Sequence, residues 1–369
     1  MKPIPIATPR TAPRPPHRAL WELTWRCDVR CEHCLVDGGE KRDNEMTTDE
    51  CLRLADDIAD LGISAVSLTG GEPFLRKDWF AVASRVRSHG MQLRFSSNGH
   101  LLDESIAGAL VDLECESFSR QHRRRQGNER PAASRPVGKG EALDLRHDAR
   151  RHRNPAPHAH HHHRAHVRLE TKSPRTARNS RGAEKAGVHR WVIQLSHPTG
   201  RLTKDSASGL CEPIDPEQLP IVADFITRHA NDPMLQPRAF NSVGYMSRKE
   251  PVLRQSGRDI RNPIWRGCQC GIASIGIEPD GGIKGCANMV GDPFIVGNVR
   301  TESLRTIWED RPRWHWLNPK PQQMTGECAG CALASICHAG CTVLAYRSTG
   351  EFFNNPYCLR RLENASPPS

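Results

Sequence analysis

The chain has 369 residues, with 52 Lys and Arg against 42 Asp and Glu, which gives a formal net charge of +10. At this length we expect one large domain or two ordinary ones. The mean hydropathy is −0.61, and the apolar runs fall short of the roughly 20 residues that a transmembrane helix needs. We therefore expect a cytoplasmic protein without a membrane-spanning segment and, because the first 18 residues lack an apolar core, without a secretory signal.

The part of the chain up to residue 115 alternates predicted strands and helices. A basic arm at 1–18, which we expect to be disordered, is followed by strands at 19–24, 65–69 and 92–96 and by helices at about 48–61, 79–89 and 103–112. Thr47 and Glu50 have the spacing of a capping box at the start of the first helix. This alternation is typical of an α/β fold with a parallel sheet, in which functional residues follow the carboxyl ends of the strands.

The positive charge lies in one segment, residues 116–187. This segment contains 18 Lys and Arg, 7 Asp and Glu and half of the 18 histidines, whereas the other 297 residues hold 34 basic and 35 acidic groups. It has few large apolar residues, so burial cannot offset the entropy lost on ordering it, and we expect disorder. Regular patterns return with a strand at 189–195 and a helix at 216–230.

Three thiols directly follow the first predicted strand, in the pattern Cys-x3-Cys-x2-Cys at Cys27, Cys31 and Cys34. Three thiolates can hold three irons of a [4Fe–4S] cube and leave the fourth iron open, whereas structural zinc usually takes four protein ligands. The next strand ends in Gly-Gly-Glu at 70–72, and the one after it ends in Ser-Ser-Asn-Gly at 96–99. Each motif is weak alone, but their order at successive strand ends is specific.

With these motifs the chain resembles the radical SAM superfamily, which implies a partial (β/α)6 TIM-like barrel. The resemblance implies that Cys27, Cys31 and Cys34 bind the catalytic [4Fe–4S] cluster, whose open iron chelates S-adenosylmethionine (SAM). Further implied contacts with SAM are His33, Gly70, Gly71, Glu72, Ser96 and Asn98. The implied reaction is one-electron cleavage of the sulfonium to a 5′-deoxyadenosyl radical that abstracts hydrogen, with the cofactor supplying the chemistry.

A second set of cysteines lies in the last hundred residues of the chain. Its members are Cys268, Cys270, Cys286, Cys328, Cys331, Cys337, Cys341 and Cys358. Cys-x2-Cys pairs are also typical of zinc ribbons, but the whole arrangement resembles the SPASM domain, which holds auxiliary Fe–S clusters. The resemblance implies one cluster on Cys328, Cys331, Cys337 and Cys358. It implies another on Cys286 and Cys341 with Cys268, Cys270 or both.

The resemblance covers residues 19–115 and 188–363. It predicts half of the barrel at 19–115, the rest of the radical SAM core at 188–263 and a small cysteine-rich SPASM domain at 264–369, with the aberrant segment 116–187 between the two halves. Stretches such as WVIQLSHPTGRL and NNPYC look like peptide-modifying members. The implied function is crosslinking or epimerisation of a ribosomally made precursor peptide, with a flavodoxin or ferredoxin as reductant and neither nucleic acid nor membrane as partner.

Three alternatives stay open at this point. The radical chemistry can act on a tetrapyrrole or redox-cofactor precursor, or the chain can be a non-catalytic Fe–S or zinc protein whose basic segment binds nucleic acid. That segment has Phe118 as its single aromatic side chain apart from histidines, so it lacks the stacking platform of a single-strand binder. The third alternative is an inactive remnant, because the segment replaces the middle of the barrel.

We hypothesise that residues from about 120 to 187 are translated in a shifted register. Relatives place a Ser-x-Asp-Gly type of motif after a strand here, whereas this chain has Arg-Gln-His-Arg-Arg at 120–124. Codons for Gln and His begin with CA and most Arg codons begin with CG. A shift of one base then turns CGT-CAG-CAT-CGA-CGG-C into Val-Ser-Ile-Asp-Gly, which restores the motif.

Resequencing the gene across residues 116–187 tests this hypothesis. We expect codons whose shifted frame encodes Val-Ser-Ile-Asp-Gly from position 120 and a compensating shift near residue 187. Codons incompatible with that peptide would instead establish a genuine inserted His- and Arg-rich segment.

Overall fold

The computed structural model describes residues 14–31, 34–120, 165–168, 190–195, 198–201, 214–231, 236–255, 264–317 and 319–365. In the first half of the chain the strands are β1 (Arg18–Glu22), β2 (Ala65–Thr69), β3 (Gln92–Ser97) and β4 (Ser117–Arg120), and the helices are α1 (Thr48–Asp60), α2 (Trp79–Ser88) and α3 (Glu104–Asp112). All three predicted helices are confirmed to within one residue at each end.

The second half of the described chain contains six further strands and mostly short helices. The strands are β5 (Ala165–Arg168), β6 (Arg190–Gln194), β7 (Gln236–Ala239), β8 (Ser274–Ile277), β9 (Gly282–Lys284) and β10 (Gly297–Asn298). The helices are α4 (Leu219–Arg228), α5 (Glu250–Gln255), α6 (Leu304–Glu309), α7 (Ala334–Cys337), α8 (Thr342–Thr349) and α9 (Leu359–Ala365). No described helix has the length and apolar character that crossing a bilayer requires.

The predicted parallel sheet is confirmed. Strands β1 to β4 pair in parallel in chain order, β8 pairs in parallel on the other side of β1, and β9 and β10 follow antiparallel. Strands β5, β6 and β7 form a second parallel sheet. Among the described strands, β4 and β5 are not hydrogen-bonded to each other. The parallel ladder is therefore interrupted between them, where the sequence analysis expects the barrel to be incomplete.

Two predicted boundaries differ from the structure. The described chain begins at Arg14, and the main-chain N–H of His17 donates to Ala273 O at 3.0 Å, so structure extends into the arm expected to be disordered. Within the segment 116–187, two four-residue strands are described, and β4 pairs with β3 while Phe118 stacks against Phe74. Residues 121–164 and 169–189 lie outside the described part, and the predictions about them stay predictions.

The amphipathic pattern of α1 shows why these helices form and where they pack. The Thr47 hydroxyl accepts from Glu50 N while the Glu50 carboxylate accepts from Thr47 N, which completes the predicted capping box. Leu54 and Ile58 then face the sheet and pack with Trp21 of β1 in the main hydrophobic core. A second core joins β6 and α4 to α8 and α9, so the later strands pack directly on the C-terminal region.

A buried ion triad joins β1 to the C-terminal hairpin. The Nζ of Lys284 is fully buried and lies 2.6 Å from Glu22 Oε2 and 2.8 Å from Glu278 Oε1. Burial raises the pKa of Glu22, opposed by the adjacent ammonium. Because ions taken out of water need partners, the triad fixes the hairpin against the carboxyl end of β1.

We predict that Lys284→Met strongly destabilises the protein. The substitution leaves two buried carboxylates without their cation, and breaking such a pair costs about 3–5 kcal/mol. The measurement is urea unfolding at neutral pH followed by circular dichroism. Arg305→Met is the matched control, because Arg305 forms an exposed pair with Glu309 and exposed pairs contribute little. Equal stability of the two variants would contradict a structural role for the triad.

Candidate functional site

The first three cysteines lie on a turn that begins five residues after β1. This cysteine turn runs from Cys27 to Gly39. Two main-chain hydrogen bonds join its ends, since Cys27 N donates to Gly39 O at 2.8 Å and Gly39 N donates to Trp25 O at 2.9 Å. Inside it, Gly38 N donates to Cys34 Sγ at 3.3 Å. Cys31 is buried, and Cys27 and Cys34 are half-buried. The predicted contact His33 lies outside the described residues.

The two glycines after β2 lie directly against the chain that leads into this turn. Gly71 N donates to Thr24 O at 2.7 Å, and the next N–H donates to Arg26 O at 2.8 Å. A Cβ at Gly71 would meet Arg26 O at 2.2 Å, and one at Gly70 would meet Thr24 O at 2.5 Å. Gly70 also has φ +137°, a conformation that residues with a Cβ rarely adopt. Only glycine fits this contact between the two loops.

The carboxylate of Glu72 lies beneath the surface of the site and holds the loop after β3. It is fully buried and accepts from the Ser97 hydroxyl at 2.9 and 3.0 Å, from Asn98 N at 2.8 Å and from Phe74 N at 3.4 Å. Burial raises the pKa of Glu72, although these hydrogen bonds oppose the shift. The structure thus assigns Glu72 a loop-organising position, and its predicted direct contact with SAM stays a prediction.

Asn98 connects the loop after β3 to the cysteine turn. Its Nδ2 donates to Asp28 Oδ1 at 2.7 Å and lies 3.9 Å from Cys27 Sγ. Asp28 also lies 3.3 Å from His100 Nδ1, while Ser96 is half-buried on β3. The sequence analysis missed the roles of Ser97 and Asp28, although both residues stand inside the motifs that it used.

Four of the C-terminal thiols come together at the inner end of the cysteine-rich region. This inner quartet consists of Cys268, Cys270, Cys286 and Cys341. Hydrogen bonds join the thiol of Cys270 to those of Cys268 and Cys286, which raises the pKa of Cys270 and lowers that of Cys268. Burial raises the pKa of Cys341, and its neighbours Cys268 and Cys286 add to the effect. The structure therefore brings both Cys268 and Cys270 to one group.

The other four thiols form a second group nearer the surface. This outer quartet consists of Cys328, Cys331, Cys337 and Cys358. Burial raises the pKa of Cys328 to about 11, and the nearby Cys358 and Cys331 contribute in the same direction. Burial likewise raises the pKa of Cys337, which interacts with Cys358 and Cys328. Charge interactions thus link all four members, whereas Cys331 remains exposed.

An aromatic pair lies between the two quartets. The hydroxyl of Tyr245 accepts from Cys341 N at 3.1 Å, and Nε1 of Trp265 donates to Cys337 O at 3.0 Å. The two rings lie 5.1 Å apart and belong to the small core that includes members of both quartets. Tyr245 and Trp265 therefore fix the position of one thiol group relative to the other.

The donor sets fit Fe–S clusters in their chemistry. In the described part of the chain, no three His, Cys, Asp or Glu side chains converge to hold a single metal ion. The thiol ligands of a four-iron cluster each bind a different iron and need not meet at one point.

Cys51, outside the predicted pattern, is buried in α1, and burial raises its pKa to about 11. Cys211 lies outside the described residues.

Comparison with known proteins identifies two domains in the chain. The family model described as the radical SAM superfamily matches residues 21–119, and that described as an iron–sulfur cluster-binding (SPASM) domain matches residues 268–332. The first match contains the cysteine turn and the loops after β2 and β3. The second contains most of the thiols of the two quartets.

Relatives extend the likeness to the whole chain. An AdoMet-dependent heme synthase from Methanosarcina barkeri is 25% identical over 368 residues, which cover 94% of this chain and 97% of that protein. A mycofactocin maturase from Mycobacterium ulcerans is 30% identical over 95 residues, 26% of each chain. Among solved structures, Streptococcus suis SuiB bound to the precursor peptide SuiA has a TM-score of 0.61 at 14% identity, covering 94% of this chain and 75% of that one.

These matches agree with the arrangement of the site. Radical SAM and SPASM domains bind [4Fe–4S] clusters and SAM, and the chain presents three thiols on one turn and eight in two groups. The likeness to the solved neighbour concerns the fold and extends over 94% of this chain. The chain therefore contains a radical SAM domain followed by a C-terminal SPASM domain.

Proposed function

We propose that Cys27, Cys31 and Cys34 bind the SAM-cleaving cluster and that the loops around them hold SAM. The observation that carries this proposal is the junction at the cysteine turn. The glycine loop donates two N–H groups to the segment between β1 and the turn, and Asn98 donates to Asp28 and lies close to Cys27 Sγ. Three loops from three successive strand ends thus meet at the thiols, which is where a bound cofactor needs partners.

The residues of this chain have separable tasks at that junction. Gly70 and Gly71 allow the close approach of the loops, and Glu72 fixes the loop after β3 through Ser97 and Asn98 N. In the proposal Ser96, Asn98 and His33 contact SAM directly. When bound, the cluster and SAM supply one-electron cleavage of the sulfonium and the hydrogen-abstracting radical. The protein orients the partners and excludes water.

We also propose two auxiliary clusters, one on each quartet. The hydrogen bonds of Cys270 to Cys268 and Cys286 support ligation by both Cys268 and Cys270. With Cys341 the inner quartet then offers four thiolates, so its cluster is closed and has no open iron for the substrate. The outer quartet offers four more, in agreement with the resemblance. The substrate consequently meets the radical without binding an auxiliary iron.

For the substrate we favour a tetrapyrrole precursor. The support is the extent of the likeness, because the AdoMet-dependent heme synthase matches through both domains and 97% of its own length. A second heme synthase, from Nitratidesulfovibrio vulgaris, matches over 366 residues at 24% identity. A likeness that runs through the length of both chains says more about the substrate than one limited to about a quarter of the chain.

The precursor peptide predicted from the sequence is the second candidate. It is favoured by the mycofactocin maturases, which are 30–31% identical to this chain but match only about a quarter of it. The likeness to peptide-bound SuiB concerns the fold, since 14% of residues are identical. A flavodoxin or ferredoxin as reductant and a cytoplasmic location stay predictions.

Iron counting on the anaerobically reconstituted chain tests the three thiol groups. We expect roughly twelve irons per chain for three four-iron clusters. A variant with Cys27, Cys31 and Cys34 replaced by Ala should lose about a third of them and all 5′-deoxyadenosine formation. Cys115→Ser, outside all three groups, serves as the control and should keep both. Zinc in place of iron at the quartets would contradict the assignment.

The substrate is tested by 5′-deoxyadenosine formation with each candidate. We expect an iron-bearing tetrapyrrole to increase 5′-deoxyadenosine formation, and deuterium placed on the tetrapyrrole to appear in the 5′-deoxyadenosine, as seen by mass spectrometry. A short peptide encoded beside the gene is the competing substrate in a parallel reaction. Modification of the peptide together with an unchanged tetrapyrrole would overturn our choice and favour peptide maturation.

A further inference from the structure

A short segment far along the chain binds the cysteine turn through several hydrogen bonds. This clasp, residues 198–201, comes after β6, whereas the turn follows β1. Arg201 N donates to Cys34 O at 3.0 Å. Gly200 has φ +63°, and a Cβ there would meet Cys34 O at 2.1 Å and Leu35 O at 2.5 Å. The main chain of the clasp therefore lies directly on the turn, at a distance that only glycine permits.

The side chain of Arg201 binds three further groups of the same turn. Its Nε donates to Cys31 O at 2.8 Å, and its Nη1 donates to Gly38 O at 2.8 Å and to Asp37 Oδ1 at 2.6 Å. With the main-chain bond to Cys34, one residue thus holds both ends of the Cys-x2-Cys stretch. A planar guanidinium suits this task because its donors are fixed in a fork.

Two polar atoms of the clasp remain without a partner among the described residues. They are Nη2 of Arg201 and Oγ1 of Thr199, and both atoms are buried. The Thr199 residue as a whole is only 4% exposed. Buried polar groups in native proteins are nearly always hydrogen-bonded, so each orphan needs an explanation. A bound group with acceptor atoms would satisfy both.

We propose that Arg201 is a positioning residue that sets the geometry and reduction potential of the catalytic cluster. This inference rests on the proposed ligation by Cys27, Cys31 and Cys34. Three thiolates make the bound cluster anionic, and its negative charge grows by one unit on reduction. A largely buried cation beside the turn therefore stabilises the reduced state more than the oxidised state, which raises the potential. The orphan donors of the clasp provide hydrogen bonds to the same anionic group.

The ion pair of Arg201 with Asp37 predicts the direction in which the reduction potential of the cluster shifts. Asp37 is more than half exposed, whereas the Arg201 side chain is 19% exposed. Water screens the carboxylate more than the guanidinium, so the net effect of the pair on the turn is positive. Removing the cation should lower the potential of the cluster, and removing the Asp37 charge should raise it.

The test is a redox titration of the reconstituted full-length chain, followed by electron paramagnetic resonance. The signal that changes when SAM is added reports the catalytic cluster among the three. We expect Arg201→Met to shift its midpoint potential to more negative values, Arg201→Lys to shift it less, and Asp37→Asn to shift it the opposite way. Arg85→Met is the matched control, because Arg85 pairs with Asp56 on the surface, and it should leave the potential unchanged.

The outcomes separate this inference from the proposed function. If the wild-type chain shows no SAM-sensitive signal, the proposed function fails. If it does, equal potentials in wild type, Arg201→Met and Arg201→Lys overturn the role of Arg201. Shifts of the same sign in Arg201→Met and Asp37→Asn would indicate general disruption and overturn it too. Should Arg201→Met not retain the cluster, Arg201→Lys and Asp37→Asn still decide between these results.

Discussion

The site depends on the contact between the glycine loop after β2 and the segment that leads from β1 into the cysteine turn. Two consecutive N–H groups donate to Thr24 O and Arg26 O, and a Cβ on either glycine would collide with those carbonyls. This main-chain contact fixes where the turn leaves the sheet. The next residue after the two glycines is Glu72, whose buried carboxylate accepts hydrogen bonds from the loop after β3 and holds it. Three strand ends are thus joined at one point.

The C-terminal region is part of the same construction. Strand β8 extends the sheet on the far side of β1, and the triad of Lys284 with Glu22 and Glu278 locks the hairpin against the strand that carries the cysteine turn. Since Cys286 follows β9 by two residues, the inner quartet is tied to the barrel through this buried charge. Cys286 is therefore positioned relative to β1 through this triad.

Most of the site was visible in the sequence because its chemistry needs fixed residue types at short spacing. Thiols, glycines and a carboxylate at three strand ends mark the residues of the turn and of the two loops, whereas the contact between the glycines and Thr24 and Arg26 was not foreseen. Lys284 and Arg201 were missed, since Glu22 lies 262 residues from Lys284 and Cys31 lies 170 residues from Arg201. A lone Lys in a strand or Arg after one carries no local signal, and only the fold brings these charges to their partners.

The basic segment 116–187 also has to be interpreted together with the fold. Its charge kept a nucleic-acid-binding protein among the alternatives. The structure places β4 beside β3 at its start, and among the described strands the parallel ladder stops after β4. The cysteine turn is held by residues on both sides of that break, through the glycine loop before it and the clasp after it. The turn itself does not depend on the segment for any described contact.

The central claim is that one turn and two quartets each hold a four-iron cluster. The most direct measurement is iron-edge anomalous diffraction from crystals grown anaerobically after reconstitution. The account predicts three groups of iron peaks, one at Cys27, Cys31 and Cys34 and one at each quartet. Absence of iron at the cysteine turn, or zinc-edge peaks at the quartets, would contradict it.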